Sequence, residues 1–257
     1  MPAPRYSKPL PGPLAALRAS RLRRAFRTDP RVRTDTWSID GFSVLMDPTF
    51  PSPAPRFGWS PQSMLGRGLD VRPGERLCDL GCAGGLVSLH AARRGARVVA
   101  VDWEPVALIC VGRGFRLAGM GEAEVVEGSS IRSVGDQPFD VVAWSVPFVA
   151  GEPRSSVDRR ILRGAQEETK RELRDIRALL RRGGRLTFVY PDRDAAGWLH
   201  AALEDAGFRY SATQYERFDV IGPVRLYRAW IPRSEDAPGE ISSGEPLAGA
   251  AWVLRDR

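Results

Sequence analysis

Apolar positions change their period along this chain, and the changes mark out elements. From Glu75 onward, short apolar runs alternate with stretches of helical period. RLCDLG at residues 76–81, ARVVAVD at 96–102, EAEVVEG at 122–128, FDVVAWS at 139–145 and GRLTFVY at 184–190 read as strands. Between and after them, Leu86 to Arg94, Pro105 to Ala118, Ala165 to Leu180 and Ala195 to Ala206 read as helices. Strands that are apolar throughout, separated by amphipathic helices, imply a parallel sheet covered on both faces. Two last runs, Arg209 to Phe218 and Arg225 to Ile231, are separated by a Gly222-Pro223 turn region, so the sheet should end in an antiparallel hairpin. The expectation is an α/β fold with a seven-stranded, mostly parallel sheet.

Upstream the pattern differs. Pro13 to Arg27 sets Leu14, Leu17, Leu22, Ala25 and Phe26 on one helical face among arginines, a basic amphipathic helix that either packs on the main domain or contacts a substrate or RNA. Thr36 to Met46 reads as two short strands around Asp40-Gly41, a dipeptide that accepts positive φ at both centres of a tight hairpin turn. The following DPTFPSPAPRFGWSP cannot continue a sheet and should lie as a semi-rigid cover, with Phe57 and Trp59 as its aromatic contacts. Residues 234–257 form a Ser/Gly/Pro/Glu-rich tail with a late apolar AAWVL that can dock back. The organisation is therefore a basic arm at 1–34, hairpin and cover at 35–72, the main domain at 73–233 and the tail at 234–257.

Composition narrows the class. At 43% hydrophobic and 27% charged, 257 residues bury a sizeable core in one large domain with appendages. The formal charge of +7 is uneven: the first 34 residues carry +8 and the remainder −1. A basic arm on a neutral body makes nucleic acid possible as a partner without indicating it. Cys78, Cys82 and Cys110 are odd in number and show no metal-ligand spacing, so no metal site or disulfide framework is expected, and a reducing cytoplasm fits best. No apolar run reaches the ~18 residues of a membrane span, so no membrane association is expected. The Arg-rich arm is similar in composition to a mitochondrial presequence, but basic residues that are nearly all Arg, Lys8 and Lys170 excepted, point instead to a GC-rich bacterial genome.

The most specific signal is Asp79-Leu80-Gly81-Cys82-Ala83-Gly84-Gly85 at the end of the first strand of the repeating pattern, with Asp102 closing the second. Glycines there let a backbone approach a ligand and turn sharply into a helix, and a carboxylate at the next strand end can accept two ribose hydroxyls. The spacing is wrong for a dinucleotide's GxGxxG, and Asp79 would repel phosphate while suiting an ammonium or sulfonium cation. The run LCDLGCAGGLVSLHAARRGARVVAVDWEP resembles the first and second motifs of class I S-adenosylmethionine-dependent methyltransferases, with Ala83 where that family has Gly. The resemblance covers Pro73 to Pro232. It implies a Rossmann-like fold and S-adenosylmethionine as cofactor. Asp79 and the Gly81 backbone would lie near the methionine ammonium, Asp102 on the ribose, Trp103 against adenine, and Cys82, Ala83 and Gly85 in the lining loop.

Two further stretches extend the resemblance. In VVEGSSI, Ser129 and Ser130 stand where many relatives use an Asp on the adenine amino group. Ser145-Val146-Pro147-Phe148 resembles a degenerate Asn-Pro-Pro-Tyr/Phe motif of the small-domain group that methylates glutamine amides and adenine amino groups, with Ser145 replacing Asn and Val146 the first Pro. A serine accepts a hydrogen bond but cannot reproduce amide geometry, and Phe148 can still stack on a flat acceptor. Tyr190 and Asp192 fall at the carboxyl edge of the fifth strand. The candidate catalytic set is Ser145, Pro147, Phe148 and Tyr190. His90, beside core leucines, and His200, on a surface amphipathic helix, are expected to be structural. Methyl transfer to a neutral amine needs in-line geometry and little base assistance, so a nitrogen acceptor is favoured. The leading expectation is N-methylation of a small molecule. The alternatives are methylation of a protein glutamine or a nucleic-acid base, and a non-catalytic binding protein of the same fold.

Overall fold

The computed structural model describes residues 35–46, 61–147, 149–150, 162–163, 166–191, 197–218 and 222–232. The predicted N-terminal helix, the cover with Phe57 and Trp59, Phe148, Asp192 and the tail lie outside the described residues.

The chain opens with a hairpin, β1 (Asp35–Ile39) and β2 (Phe42–Met46), paired antiparallel from Ile39 against Phe42 to Asp35 against Met46. Asp40 (φ 54°) and Gly41 (φ 77°) both take positive φ, as a two-residue turn matched to strand twist requires. Helix α1 (Pro61–Arg67) follows, then β3 (Arg76–Leu80), α2 (Leu86–Arg93), β4 (Arg97–Asp102), α3 (Pro105–Leu117) and β5 (Glu124–Glu127). A 3-10 turn (Ile131–Val134) leads to β6 (Phe139–Trp144). The remaining elements are β7 (Val149–Ala150), β8 (Leu162–Arg163), α4 (Gln166–Leu179), β9 (Leu180–Pro191), α5 (Trp198–Asp205), β10 (Arg209–Phe218) and β11 (Gly222–Trp230).

Seven strands form one sheet in the order β10-β11-β9-β6-β3-β4-β5. All neighbours are parallel except β11, which runs antiparallel to β9 and to β10. The last strand thus inserts beside the fifth, and the terminal hairpin supplies the single reversed strand. Core strands are buried on both faces. One face packs Leu77, Ala100, Val141 and Val189 against α1, α2, α3 and the hairpin, and the other packs Leu80, Val101, Trp144 and Phe188 against α4 and α5. The chain crosses from β5 back to β6 on the far side of β3, so the switch in strand order falls between the carboxyl ends of β3 and β4 on one side and β6 on the other.

Several expectations are corrected. Residues 61–72 are not all cover: α1 buries Ser63, Met64, Leu65 and Gly66. At Gly66 a Cβ would come 2.4 Å from His90 Cδ2, so α1 and α2 pack at a distance only glycine permits. The fifth sheet strand starts at Leu180, which pairs with Phe139; the register then shifts so that Arg185 pairs with Val141. Gly222-Pro223 is not the turn. Gly222 pairs with Phe218, and β11 begins there. The short parallel pair β7–β8, beyond the end of β6, has no periodicity over two residues by which to announce itself.

His200 is not a surface residue either. It is half-buried, stacked on Tyr210 at 5.0 Å between ring centroids, with Nε2 3.3 Å from the Tyr227 hydroxyl. His90 is buried and holds the hairpin. Its Nε2 lies 2.9 Å from Asp40 Oδ2, Ser63 Oγ donates to the same oxygen at 2.6 Å, and Arg67 donates to Oδ1. Arg93 covers the Phe42 ring at 4.1 Å. Burial raises the Asp40 pKa, but the donors from Arg67, Ser63 and His90 outweigh it and hold the carboxyl below its ordinary value. Burial lowers the pKa of His90 despite the Asp40 bond. The hairpin also buries Phe42 and Val44 in the core, each stabilising by roughly 1.5–3 kcal/mol.

Candidate functional site

The site forms where the loop after β3 meets the ends of β4 and β6. Gly81 and Cys82 donate their N–H groups to the Val101 carbonyl at 2.8 and 3.1 Å, and Ser145 donates its own to the Leu80 carbonyl at 2.9 Å. Gly81 (φ 78°) faces Ser145 so closely that a Cβ would sit 3.3 Å from the Ser145 Cβ and carbonyl oxygen. The loop after β3 and the residue following β6 are therefore packed side by side at the carboxyl edge of the sheet.

Three loop residues divide different work. Ala83 occupies a left-handed backbone (φ 45°) that an alanine tolerates at a cost of roughly 1 kcal/mol, and its N–H donates to Asp102 Oδ2 at 2.9 Å. Gly85 (φ 79°) caps α2, and a Cβ there would meet Val111 at 3.0 Å, so this glycine lets α2 approach α3. Cys82 is buried, and its carbonyl accepts the Gly85 N–H at 2.8 Å. Burial, and next the charge of Asp79, push the Cys82 thiol well above its ordinary range.

The two carboxylates are environmentally distinct. Asp102 accepts Ala83 N–H on Oδ2 and Glu104 N–H on Oδ1 (3.0 Å), which orients it at the end of β4 beside half-buried Trp103. Asp79 is fully buried. Its Oδ2 accepts the Ser88 hydroxyl at 2.6 Å, while Oδ1 has no hydrogen-bond partner among the described residues. Burial pushes its pKa up to about 7, with the charge of Asp102 adding to the rise and the Ser88 bonds opposing it. A buried carboxyl oxygen with no donor is costly unless a cation or donor arrives with a ligand.

Matching this arrangement, the sequence profile of the methyltransferase small domain covers residues 62–195. The chain belongs to the methyltransferase small domain family. The ribosomal RNA small subunit methyltransferase C of Chromohalobacter salexigens is 31% identical over 153 residues, 56% of this chain and 42% of that protein. A ubiquinone biosynthesis O-methyltransferase of Xanthomonas campestris pv. campestris is 32% identical over 171 residues, 63% of each chain. The chain thus spans less than two thirds of the curated relatives it matches. The fold of a methyltransferase from Pyrococcus furiosus superposes with a TM-score of 0.54 at 15% identity, covering 84% of this chain and 98% of that one.

Members of this class of methyltransferase use S-adenosylmethionine, and the residues present in this methyltransferase domain fit that molecule. The unpartnered Asp79 Oδ1 suits an ammonium, Gly81 lets the loop lie against Ser145 where a Cβ would crowd it, and two backbone donors orient the Asp102 carboxylate at the end of β4. In the loop after β5, Ser129 is exposed. Ser130 is committed: its Oγ accepts the Arg132 N–H at 3.3 Å within the loop, and its hydroxyl bonds Glu172 on α4. Just beyond β6, Ser145 Oγ is buried with no partner among the described residues, Val146 is buried and Pro147 half-buried. Tyr190 is not brought to this edge as an exposed group. It is wholly buried, edge-on to Trp198 at 6.1 Å, within the core that packs against α4 and α5.

The contacts of Ser88 with Asp79 and of Glu172 with Ile131 were not legible in the sequence. Ser88 lies nine positions beyond Asp79, and its reach depends on the rotation of α2 about its axis. Glu172 sits in a Glu/Arg-rich helix, where a charge reads as solvated.

Proposed function

We propose that this protein transfers a methyl group from S-adenosylmethionine to a small molecule, at nitrogen. The observation that carries the reading is Ser145. It follows β6 directly, its Cβ and carbonyl oxygen lie against Gly81, and its hydroxyl is buried without a partner among the described residues. Serine in place of the small-domain group's Asn leaves a shorter, rotatable hydroxyl that both donates and accepts, suited to a compact acceptor rather than to a planar amide or adenine edge. Similarity to a ubiquinone biosynthesis O-methyltransferase, 32% identical over an alignment covering 63% of each chain, supports a small-molecule acceptor.

A nitrogen acceptor fits the fate of both histidines. His90 is spent on Asp40 at the hairpin, and His200 is spent on Tyr227 and Tyr210. An amine attacks through its lone pair and loses its proton after transfer, so it does not require a base beforehand. S-adenosylmethionine, when bound, supplies the electrophilic methyl group. The chain's own residues orient it through Asp79, Gly81 and Asp102, and Ser145 holds the acceptor nitrogen by accepting its N–H. Pro147 restricts the backbone where the chain leaves Ser145; Phe148, outside the described residues, is on this reading the aromatic partner of the acceptor.

The test is a turnover assay on Ser145→Ala, Ser145→Asn and Phe148→Ala. Ser145→Ala and Phe148→Ala should lower kcat far more than cofactor affinity, and Ser145→Asn should obstruct a small-molecule enzyme. If Ser145→Asn keeps or raises activity, a glutamine or adenine acceptor replaces this reading. If both alanine variants turn over normally, the acceptor lies elsewhere.

A further inference from the structure

The loop after β5 is held by α4 through a charge. Ile131 N–H donates to Glu172 Oε1 at 2.7 Å, and the Ser130 hydroxyl bonds the same carboxylate. One turn later on α4, Asp175 Oδ1 accepts Arg132 Nε and a terminal nitrogen at 3.0 and 2.8 Å. Ile131 is fully buried, which pins the centre of the loop. At Gly128 a Cβ would lie 2.0 Å from Ser133 Oγ, so the loop folds back on itself with no room for a side chain. Gly128 N–H donates to the main-chain carbonyl of Asp102 at 2.9 Å. The loop is thus one hydrogen bond from Asp102, the residue that the cofactor reading puts on the ribose, which on that reading brings the base beside this loop.

We propose that Glu172 is a positioning residue for the cofactor's adenine, fixing residues 128–132 from α4 so that Ser129 and the loop backbone meet the ring. Several observations favour this over a generic surface contact. The carboxylate is half-buried although its helix is rich in solvated charge, and it takes a backbone N–H and a hydroxyl that would otherwise be orphaned or turned toward the ring. Burial raises its pKa, opposed by the Ile131 and Ser130 bonds, as for a group placed there for its contacts rather than for solvation.

The full chain with Glu172→Ala, Glu172→Asp and Glu172→Gln tests this by calorimetry with S-adenosylhomocysteine and with 5′-methylthioadenosine, which lacks the amino-acid end. Glu172→Ala should weaken both ligands by the same factor, roughly tenfold for a lost charge-assisted hydrogen bond. Glu172→Gln, which keeps an acceptor for the Ile131 N–H, should recover most of that loss for both. If Ala does not fold, Glu172→Asp decides: shortened by one methylene, it should still weaken both ligands together. Unchanged affinity for both alongside a lowered melting temperature makes Glu172 merely structural and overturns the proposal, as does a loss confined to S-adenosylhomocysteine. The proposal rests on the cofactor reading, whose failure looks different: the wild type would then bind neither ligand.

Discussion

Asp79 gives the site a pH dependence whose size follows from its surroundings. The carboxyl is fully buried, has one donor in Ser88 and carries a pKa of about 7 against an ordinary 3.8. Between those values the native protein holds a proton that the unfolded chain has lost, so stability falls as pH rises from 3.8 through 7. At 1.36 kcal/mol per unit, the ligand-free protein loses about 4 kcal/mol over that interval from this group alone. The other groups facing it are Asp102 on β4, the thiols of Cys78 and Cys82, and Ser88 on α2. A bound ammonium reverses the balance by favouring the carboxylate. Cofactor binding then expels the proton, and the apparent dissociation constant grows by one plus ten to the power of the pKa minus the pH. The factor is about 11 at pH 6 and about 1.3 at pH 7.5, a weakening of about eightfold. Calorimetry with S-adenosylhomocysteine at the two pH values, in buffers of differing ionisation enthalpy, reads both the slope and the released proton. Asp79→Asn should bind on the order of tenfold more weakly at pH 7.5, lose the slope, and be more stable than wild type without ligand. A flat profile in the wild type, or a slope retained in Asp79→Asn, refutes the linkage.

Other outcomes follow from the same site and its scaffold. Asp102→Ala should cost tenfold or more in S-adenosylhomocysteine affinity, from hydrogen bonds worth roughly 1.5–3 kcal/mol each. It should also lower the melting temperature, because Ala83 and Glu104 lose their acceptor; calorimetry and thermal melts check the two effects. Ala83→Gly should leave stability nearly unchanged, since relief of about 1 kcal/mol of left-handed strain is offset by roughly 0.4–1 kcal/mol of unfolded-state freedom. Ala83→Val should destabilise by about 1–2 kcal/mol in the same melts. Asp40→Ala should destabilise by about 2–4 kcal/mol in denaturant titrations, because it strands Ser63, Arg67 and His90, with cofactor affinity unaffected. With its lowered pKa, Asp40 stabilises the fold above pH 3.8 and loses that contribution as pH falls through its folded pKa.

Much of the sheet was legible because its residues obey two simple periods. RVVAVD and FDVVAW can only be strands buried on both faces, and they became β4 and β6 with bounds within a residue or two of those expected. Asp40-Gly41 announced its turn because few dipeptides tolerate two positive φ values. The glycine-rich loop announced its sharp turn into α2 for the same steric reason, with Gly81, Ala83 and Gly85 all at positive φ. Long-range contacts without a local signature were not legible. Nothing near Asp40 says that its carboxylate meets His90, fifty positions on, or that Glu172 faces Ile131 across forty-one. The shift at Leu180 was hidden because a Gly-Gly pair reads as a break, whereas the chain continues its pairing on both sides of it. Tyr190 sits at the strand end where it was expected, but alternation along β9 turns its ring into the core under Trp198.

The central claim is that Ser145 and the cofactor loop serve a small acceptor. Its most direct measurement incubates the full-length protein with methyl-labelled S-adenosylmethionine and the metabolite, RNA and protein fractions of a cell extract separately. Label transferred to a metabolite-sized product, and lost in Asp79→Asn and Ser145→Ala, is the predicted result. Label appearing in RNA or protein, with the metabolite fraction blank, contradicts it.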